Sequence, residues 1–363
     1  MPTRKSEIRN PKSEIRFFLP RPTVRHTLNW SVNLFLGDGK NYSPDFGLPG
    51  TFYEHKSPDG EKRYKYLDLG ENPPQGAIIY YHLESEPEQP IEITVLDANG
   101  EEIETFSSKK ADDATADQAK DAPEDEDDKK TVVPAKPGLN RFVWNLRYPG
   151  PKEKIDKSLE EPGYKPLGHG EWNASSWPLA TPGTYQDRLK SGGVETTHAF
   201  EILKDPRLDT TPDDFAAQFE LWMQIRDKVS EANGALNRIR RIKRQLKELS
   251  GRDRLKDSES EVQQAATALR ERLDAVENAL VQTQYETPSD RLRHPAMLKE
   301  RLEGLVGAVA VADARPPEQV QAVFHHLCGQ IDEQLALVKT LEEQEVAALN
   351  ALIQEVGIPA LEG

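Results

Sequence analysis

The stretch LNRFVWNLRYPGP, residues 139–151, decides how the first half of this chain is built. Phe142, Trp144 and Leu146 are spaced two apart, polar Arg141, Asn145 and Arg147 lie between and beside them, and Pro-Gly-Pro comes next as a stop. A period of two sends three large side chains to one side of a strand, and such a face is stable only when buried against a second apolar layer. Trp144 is therefore assigned to the inside of a sheet rather than to a binding site, and the arginines of the other face to solvent.

The same period recurs on both sides. PIEITVLDANGEEIETF, 90–106, alternates Ile91, Ile93 and Val95 with polar residues, then offers Asn99-Gly100 for the positive φ values of a tight hairpin turn before Ile103 resumes the pattern. GAIIYYHL, 76–83, is a strand of β-branched and aromatic residues, and PGTYQDRL, 182–189, pairs with THAFEIL, 197–203, through Ser191-Gly192-Gly193. Short alternating runs separated by turn residues over about Phe17–Arg207 specify an all-β sandwich or barrel. Of 27 prolines, 22 lie at or before Pro212, so the remainder of the chain must be built on another plan.

After Leu208 the period lengthens to about three and a half. Thr210 and Thr211 before Pro212, Asp213 and Asp214 form a helix start, with a hydroxyl cap, proline in the first turn and carboxylates at the positive end of the dipole. Phe215, Phe219, Trp222, Val229, Leu236, Ile239, Leu246 and Leu249 then share one stripe, broken only at Arg226. Further helices are expected over about 258–285, 295–311 and from Pro316 onward, each with one apolar stripe. Long helices of this kind do not stand alone in water, so an antiparallel bundle is expected.

At 363 residues two domains are the prior. The expected division is a low-complexity leader at 1–16, in which KSEIR occurs twice, a β domain at 17–207 with an acidic insertion at about 107–136, and a helical domain at 208–358. The net charge is −15, and residues 111–128 alone hold nine acids against one lysine. That balance argues against nucleic acid or an anionic membrane as partner, and an acidic tract lacking spaced glycines favours a solvated loop over a calcium cage. No run of 18 apolar residues exists to span a membrane, and residues 1–16 lack the apolar centre of a signal peptide.

Motifs of chemistry are sparse. Cys328 is the single cysteine, none of the eight histidines pair at ligand spacing, and adjacent His325 and His326 point about 100° apart on a helix. GxSxG, Walker and GxGxxG patterns are missing. No catalytic, cofactor-binding or metal-binding residue is assigned, and no cofactor is expected. The aromatic-rich segments leave one candidate ligand platform, composed of Trp30, Tyr42, Phe52, Tyr53, Trp172 and Trp177, which suits stacking against sugar rings; the competing reading is packing at a domain end.

In combination and order, LNWSVN, NPPQGAIIYYHL, ITVLDANGEEI, GLNRFVWNLRYPGP, TPGTY and FEILKDPRLDTTPDDFAAQFELWMQIRDKV resemble the C-terminal region of bacterial secreted proteins with sortilin-type, neuraminidase-repeat β-propellers, often labelled glycosyl hydrolases. The likeness covers nearly everything from Phe18 onward. It implies an immunoglobulin- or fibronectin-like β-sandwich followed by an antiparallel helical bundle, downstream of a propeller, in an extracellular or periplasmic setting. The family's reaction centre would lie on that propeller. No S-x-D-x-G-x-T-W box occurs here, so no catalytic residue carries over. The expectation is a non-catalytic accessory region that docks on an upstream propeller or binds protein or glycan, with self-association through the helices as a further role. The alternative is a carbohydrate-binding or hydrolase-associated module using the exposed aromatics.

Overall fold

The computed structural model describes residues 15–25, 39–43, 50–56, 62–67, 76–108, 132–159, 177–250, 261–285, 290 and 292–355. The protein combines β-sheets with helices and divides into two units, Met1–Arg147 with Thr181–Asp209, and Tyr148–Ala180 with Thr210–Gly363. The acidic tract, most of the leader and the region between the two helices expected at 212–250 and 258–285 lie outside the described residues.

Among the described residues the first unit holds three sheets. Strands β1 (Ile15–Phe17), β6 (Ala77–Leu83) and β9 (Gly138–Trp144) form one, in the order β1-β6-β9. Strands β2 (Thr23–Val24), β7 (Glu92–Leu96), β8 (Glu102–Ser107), β10 (Gly183–Ser191) and β11 (Val194–Leu203) form a second, ordered β2-β11-β10-β7-β8, in which only β2 runs parallel to its neighbour. A meander of β3 (Gly39–Ser43), β4 (Gly50–Lys56) and β5 (Lys62–Tyr66) is the third. Ile15 and Arg16, which the KSEIR repeat assigns to the leader, pair with Leu83 and His82 and open β1.

Alternation buries one row of each of the first two sheets. Ile79, Tyr81, Phe142 and Trp144 on one, and Ile93, Val95, Tyr185, Leu189, Phe200 and Ile202 on the other, are almost wholly withdrawn from solvent. Rings from the two rows touch: Phe106 to Phe142 at 4.9 Å, Trp144 to Tyr185 at 5.8 Å and Trp144 to Phe200 at 6.3 Å between centroids. Trp144 is 1% exposed, and its indole N–H donates to the Arg147 carbonyl at 3.1 Å. The reading of this tryptophan as core is thus met.

Two details of that stretch differ from expectation. The strand stops at Trp144, and Leu146 reaches the interior through a left-handed backbone with φ 63°, where the Asn145 side chain accepts the Arg147 amide at 3.0 Å. Arg147 is not solvent-facing; burial, reinforced by nearby Arg25, pulls its guanidinium pKa down to about 10. The hairpin turn also departs from the two-residue form, since Gly100 alone has positive φ. The Asp97 carboxylate accepts the amides of Asn99 and Glu101, holding Asn99 in an ordinary conformation and leaving only glycine left-handed. At Gly192-Gly193 both residues have positive φ, and Ser191 pairs directly with Val194 as a two-residue turn requires.

The second unit is helical: α1 (Pro212–Ser250), α2 (Glu261–Leu280), α3 (Leu298–Val309), α4 (Glu318–Thr340) and α5 (Ala347–Glu355), the last two joined by a π turn at Leu341–Val346. Thr211 and Asp214 cap α1 reciprocally, as the sequence pattern requires. Ile225, Leu236, Ile239, Leu269, Leu273, Leu302, Leu327 and Ile331 lie in one continuous core drawn from every helix. On α4 the stripe runs Phe324, Leu327, Ile331, Val338 and Leu341, then jumps five residues to Val346 before Leu349 and Ile353. The π turn absorbs the extra residue, so both ends of the helix keep their apolar side inward. Within it, Glu342 reaches Arg238 on α1 and Glu345 reaches Arg272 on α2.

Residues 148–180, expected in the β domain, group with the helices. The Tyr148 amide donates to the Pro178 carbonyl at 2.9 Å, so the excursion leaves and returns at one point. Tyr148 meets Phe219 edge-on at 4.8 Å between centroids.

Candidate functional site

Three groups of residues in the structure have the makings of a site: a polar ladder on α1, a buried acid beside a histidine, and the aromatic positions singled out in the sequence. The ladder begins from the one polar break in the apolar stripe of α1. Arg226, Ser230, Asn233 and Asn237 are spaced four, three and four apart and therefore line up along one side of the helix. They grip the main chain of residues 149–156. Ser230 Oγ accepts the Glu153 amide at 2.8 Å, and the Asn233 amide donates to the Glu153 carbonyl at 2.9 Å. Asn237 does both, accepting from the Asp156 amide at 2.9 Å and donating to the Lys154 carbonyl at 2.7 Å. An extended segment is thus read through its backbone by side chains of a helix.

Beside this strap runs an open groove of about 390 Å³, lined by Glu153, Ser230, Glu231, Asn237, Arg238 and Arg241. Its charges are of both signs, and two of the four are paired: Arg238 with Glu342 at 3.0 Å, and Glu231 with Lys228 at 2.6 Å. Ser230 already accepts a main-chain amide. The arrangement suits contact with polar chain or ligand atoms. Its signal in the sequence is the polar stripe beginning at Arg226, legible there only as an interruption of the apolar one.

The acid is Asp187 on β10, fully buried and paired in register with His198 on β11. Neither carboxylate oxygen of Asp187, nor Nδ1 of His198, has a hydrogen-bond partner. Burial pushes the Asp187 carboxyl up to about 8, against a smaller downward pull from the main-chain amides of Asp187 and His198. Burial also holds His198 below the usual imidazole range, and Phe17 stacks on its ring at 4.4 Å between centroids. Burial thus favours the protonated acid and the neutral imidazole at this pair.

The aromatic platform is divided. Trp30 and Trp172 lie outside the described residues. Tyr42 and Tyr53 hold positions on one face of the β3-β4-β5 meander, whereas Phe52, paired with Asn41 and Tyr66, belongs to the alternate face. Tyr53 is 49% exposed, with Lys40 and Lys65 opposite it on either side. Trp177 belongs to the other unit and packs on Gly150, where even a Cβ atom would come within 2.7 Å of the indole.

Among the described residues no cluster of three or more His, Cys, Asp or Glu side chains is arranged to hold a metal ion, and no helix is long and apolar enough to cross a membrane. Comparison with models of protein families, with curated proteins and with solved structures finds no match for this chain.

Proposed function

We infer that the chain is a non-catalytic accessory region, an immunoglobulin- or fibronectin-like β-sandwich with an antiparallel helical bundle, serving docking, protein interaction or glycan binding. The observation that carries this reading is the use made of buried and half-buried polar side chains. Ser230, Asn233 and Asn237 hold main chain. The Gln218 amide donates to the carbonyls of Val309 and Ala312, both at 2.7 Å. Glu300 accepts the amides of Gln282 at 3.0 Å and Met297 at 2.7 Å. Glu277 closes on Arg240 and Lys243, both at 2.7 Å; burial would raise its carboxyl, but the two cations outweigh that and hold it below the usual range. Groups employed in this way maintain architecture.

Tyr185 supports the sandwich assignment. Its hydroxyl donates to the Thr181 carbonyl at 3.0 Å, four residues upstream, which is the tyrosine-corner device of immunoglobulin-like domains. By the resemblance in sequence, the docking partner is a β-propeller and the setting extracellular or periplasmic. Incubating the purified 363-residue chain with xyloglucan, sialosides and peptides tests the reading. No turnover is expected, and hydrolysis of any of them would overturn it.

A glycan-binding role is favoured by one observation, the half-exposed Tyr53. It predicts a saturable change in intrinsic fluorescence on titration with oligosaccharides, lost in Tyr53→Ala. Self-association draws support from Val323 and Leu337, exposed apolar residues on α4, and predicts a light-scattering mass that is a multiple of 40.9 kDa.

A further inference from the structure

The two outward sheet faces of the first unit are unlike. On the five-stranded sheet the outward positions of β10 and β11 include Thr184, Gln186, Arg188, Lys190, Glu195, Thr197 and Glu201, with Leu203 the one large apolar side chain among them, at the end of β11, and Arg188 lies between Glu102 at 3.8 Å and Glu195 at 4.0 Å. That is an ordinary solvated face, with charges of both signs beside one another. On the three-stranded sheet the outward positions are Arg16 of β1, Ile78, Tyr80 and His82 of β6, and Leu139, Arg141 and Val143 of β9. Phe18, whose amide donates to the Tyr80 carbonyl at 3.0 Å, extends this face.

Leu139 is 66% exposed, and Tyr80 and Phe18 are each 38% exposed. Tyr80 pairs directly with Arg141, and Arg16 with His82. No outward position of these three paired strands is a carboxylate, in a chain with 62 acidic against 47 basic residues. An apolar centre of Leu, Ile, Val and Tyr with arginines beside it, on a face that should be polar, has the composition of an interface core.

We propose that the outward face of the β1-β6-β9 sheet docks an acidic protein domain, one that brings carboxylates to Arg16 and Arg141 around an apolar patch facing Leu139 and Tyr80. This rests on the accessory reading above and names its docking face. The charge argues for that occupant over a second copy of the chain, because a two-fold contact would set the same carboxylate-free, arginine-bearing face against itself. The face runs about 23 Å along β6 and β9, from seven residues at roughly 3.3 Å each, and that length fits a protein surface better than a single sugar ring.

The test places the photo-cross-linking residue p-benzoylphenylalanine at position 139 of the full chain, with position 197 on the opposite sheet as control, in cells that make the protein. Adducts are sequenced by mass spectrometry. The expected result is a heterotypic adduct from 139 whose cross-linked peptide carries more acidic than basic residues, with little or none from 197. In the double variant Arg16→Glu and Arg141→Glu its yield should fall roughly tenfold or more. Thermal melting of that variant should match the parent, since both arginines are exposed. An adduct with a second copy, a basic peptide, a yield indifferent to the charge reversal, or no adduct at all would overturn the proposal. Hydrolytic turnover by the purified chain would instead sink the accessory reading, so the two failures are distinguishable.

Discussion

Trp144 illustrates how one side chain can tie a strand to an opposing layer. It is buried, touches Tyr185 and Phe200, and satisfies its own indole N–H on the Arg147 carbonyl. Trp144→Ala removes these contacts and leaves a cavity, so a loss of about 3–5 kcal/mol is expected in chemical denaturation of the first unit. Asp187 makes a prediction of the opposite kind. Its folded pKa of about 8 lies well above the roughly 3.9 of an unfolded chain, so the folded state binds the proton more tightly. Stability from this group is full below about pH 4 and declines as pH rises, until the folded carboxyl ionises near 8. His198, held low by burial, acts in the other direction only below its usual range. Between pH 6.5 and 8, Asp187 therefore dominates, and the first unit should lose about 2 kcal/mol. Asp187→Asn should flatten that slope; a variant with the parent's pH dependence in thermal melts would show that the carboxyl is already ionised when folded.

At the scale of elements, α1 does two jobs with two stripes, an apolar one facing the core and a polar one gripping residues 149–156. Asn237→Ala breaks both its bonds to the strap, for an expected cost of about 1 kcal/mol, and hydrogen exchange at the Asp156 amide should accelerate while the helix core stays protected. The π turn of the last helix gives a sharper test. Because Leu341 and Val346 sit five apart, deleting Glu343 restores a spacing of four and keeps Val346, Leu349 and Ile353 inward in a plain α-helix. That deletion should preserve the helical circular-dichroism signal and a cooperative melt. Deleting Ala336, one turn earlier in regular helix, rotates everything beyond it by about 100° and should abolish cooperative folding of the helical unit.

For the whole molecule, the two cores are separate in sequence and composition: aromatic and β-branched in the first unit, mainly leucine, isoleucine, valine and alanine in the second. Calorimetry should accordingly resolve two transitions, with Trp144→Ala lowering one and Leu273→Ala the other. A single transition shifted equally by both variants would contradict independent cores. Strands β6 to β11 and the helices after Pro212 are legible in the sequence, because a period of two around Trp144 and a period near 3.6 after Pro212 are local properties of the chain; β1 and the β3-β4-β5 meander, which carry no such alternation, are not. The sequence also set the Gly192-Gly193 turn and the Thr211–Asp214 cap, whose chemistry lies within four residues. The rest depends on contacts between distant parts of the chain. The segment around Glu153–Asp156 joins the helices because Ser230, Asn233 and Asn237 reach across about 80 positions to hold its backbone. Asp187 is buried, Arg147 half-buried, and Leu139 and Tyr80 exposed, because of which layer each strand found. Periodicity sorts residues onto two faces; which face meets another layer is settled by partners distant in the chain.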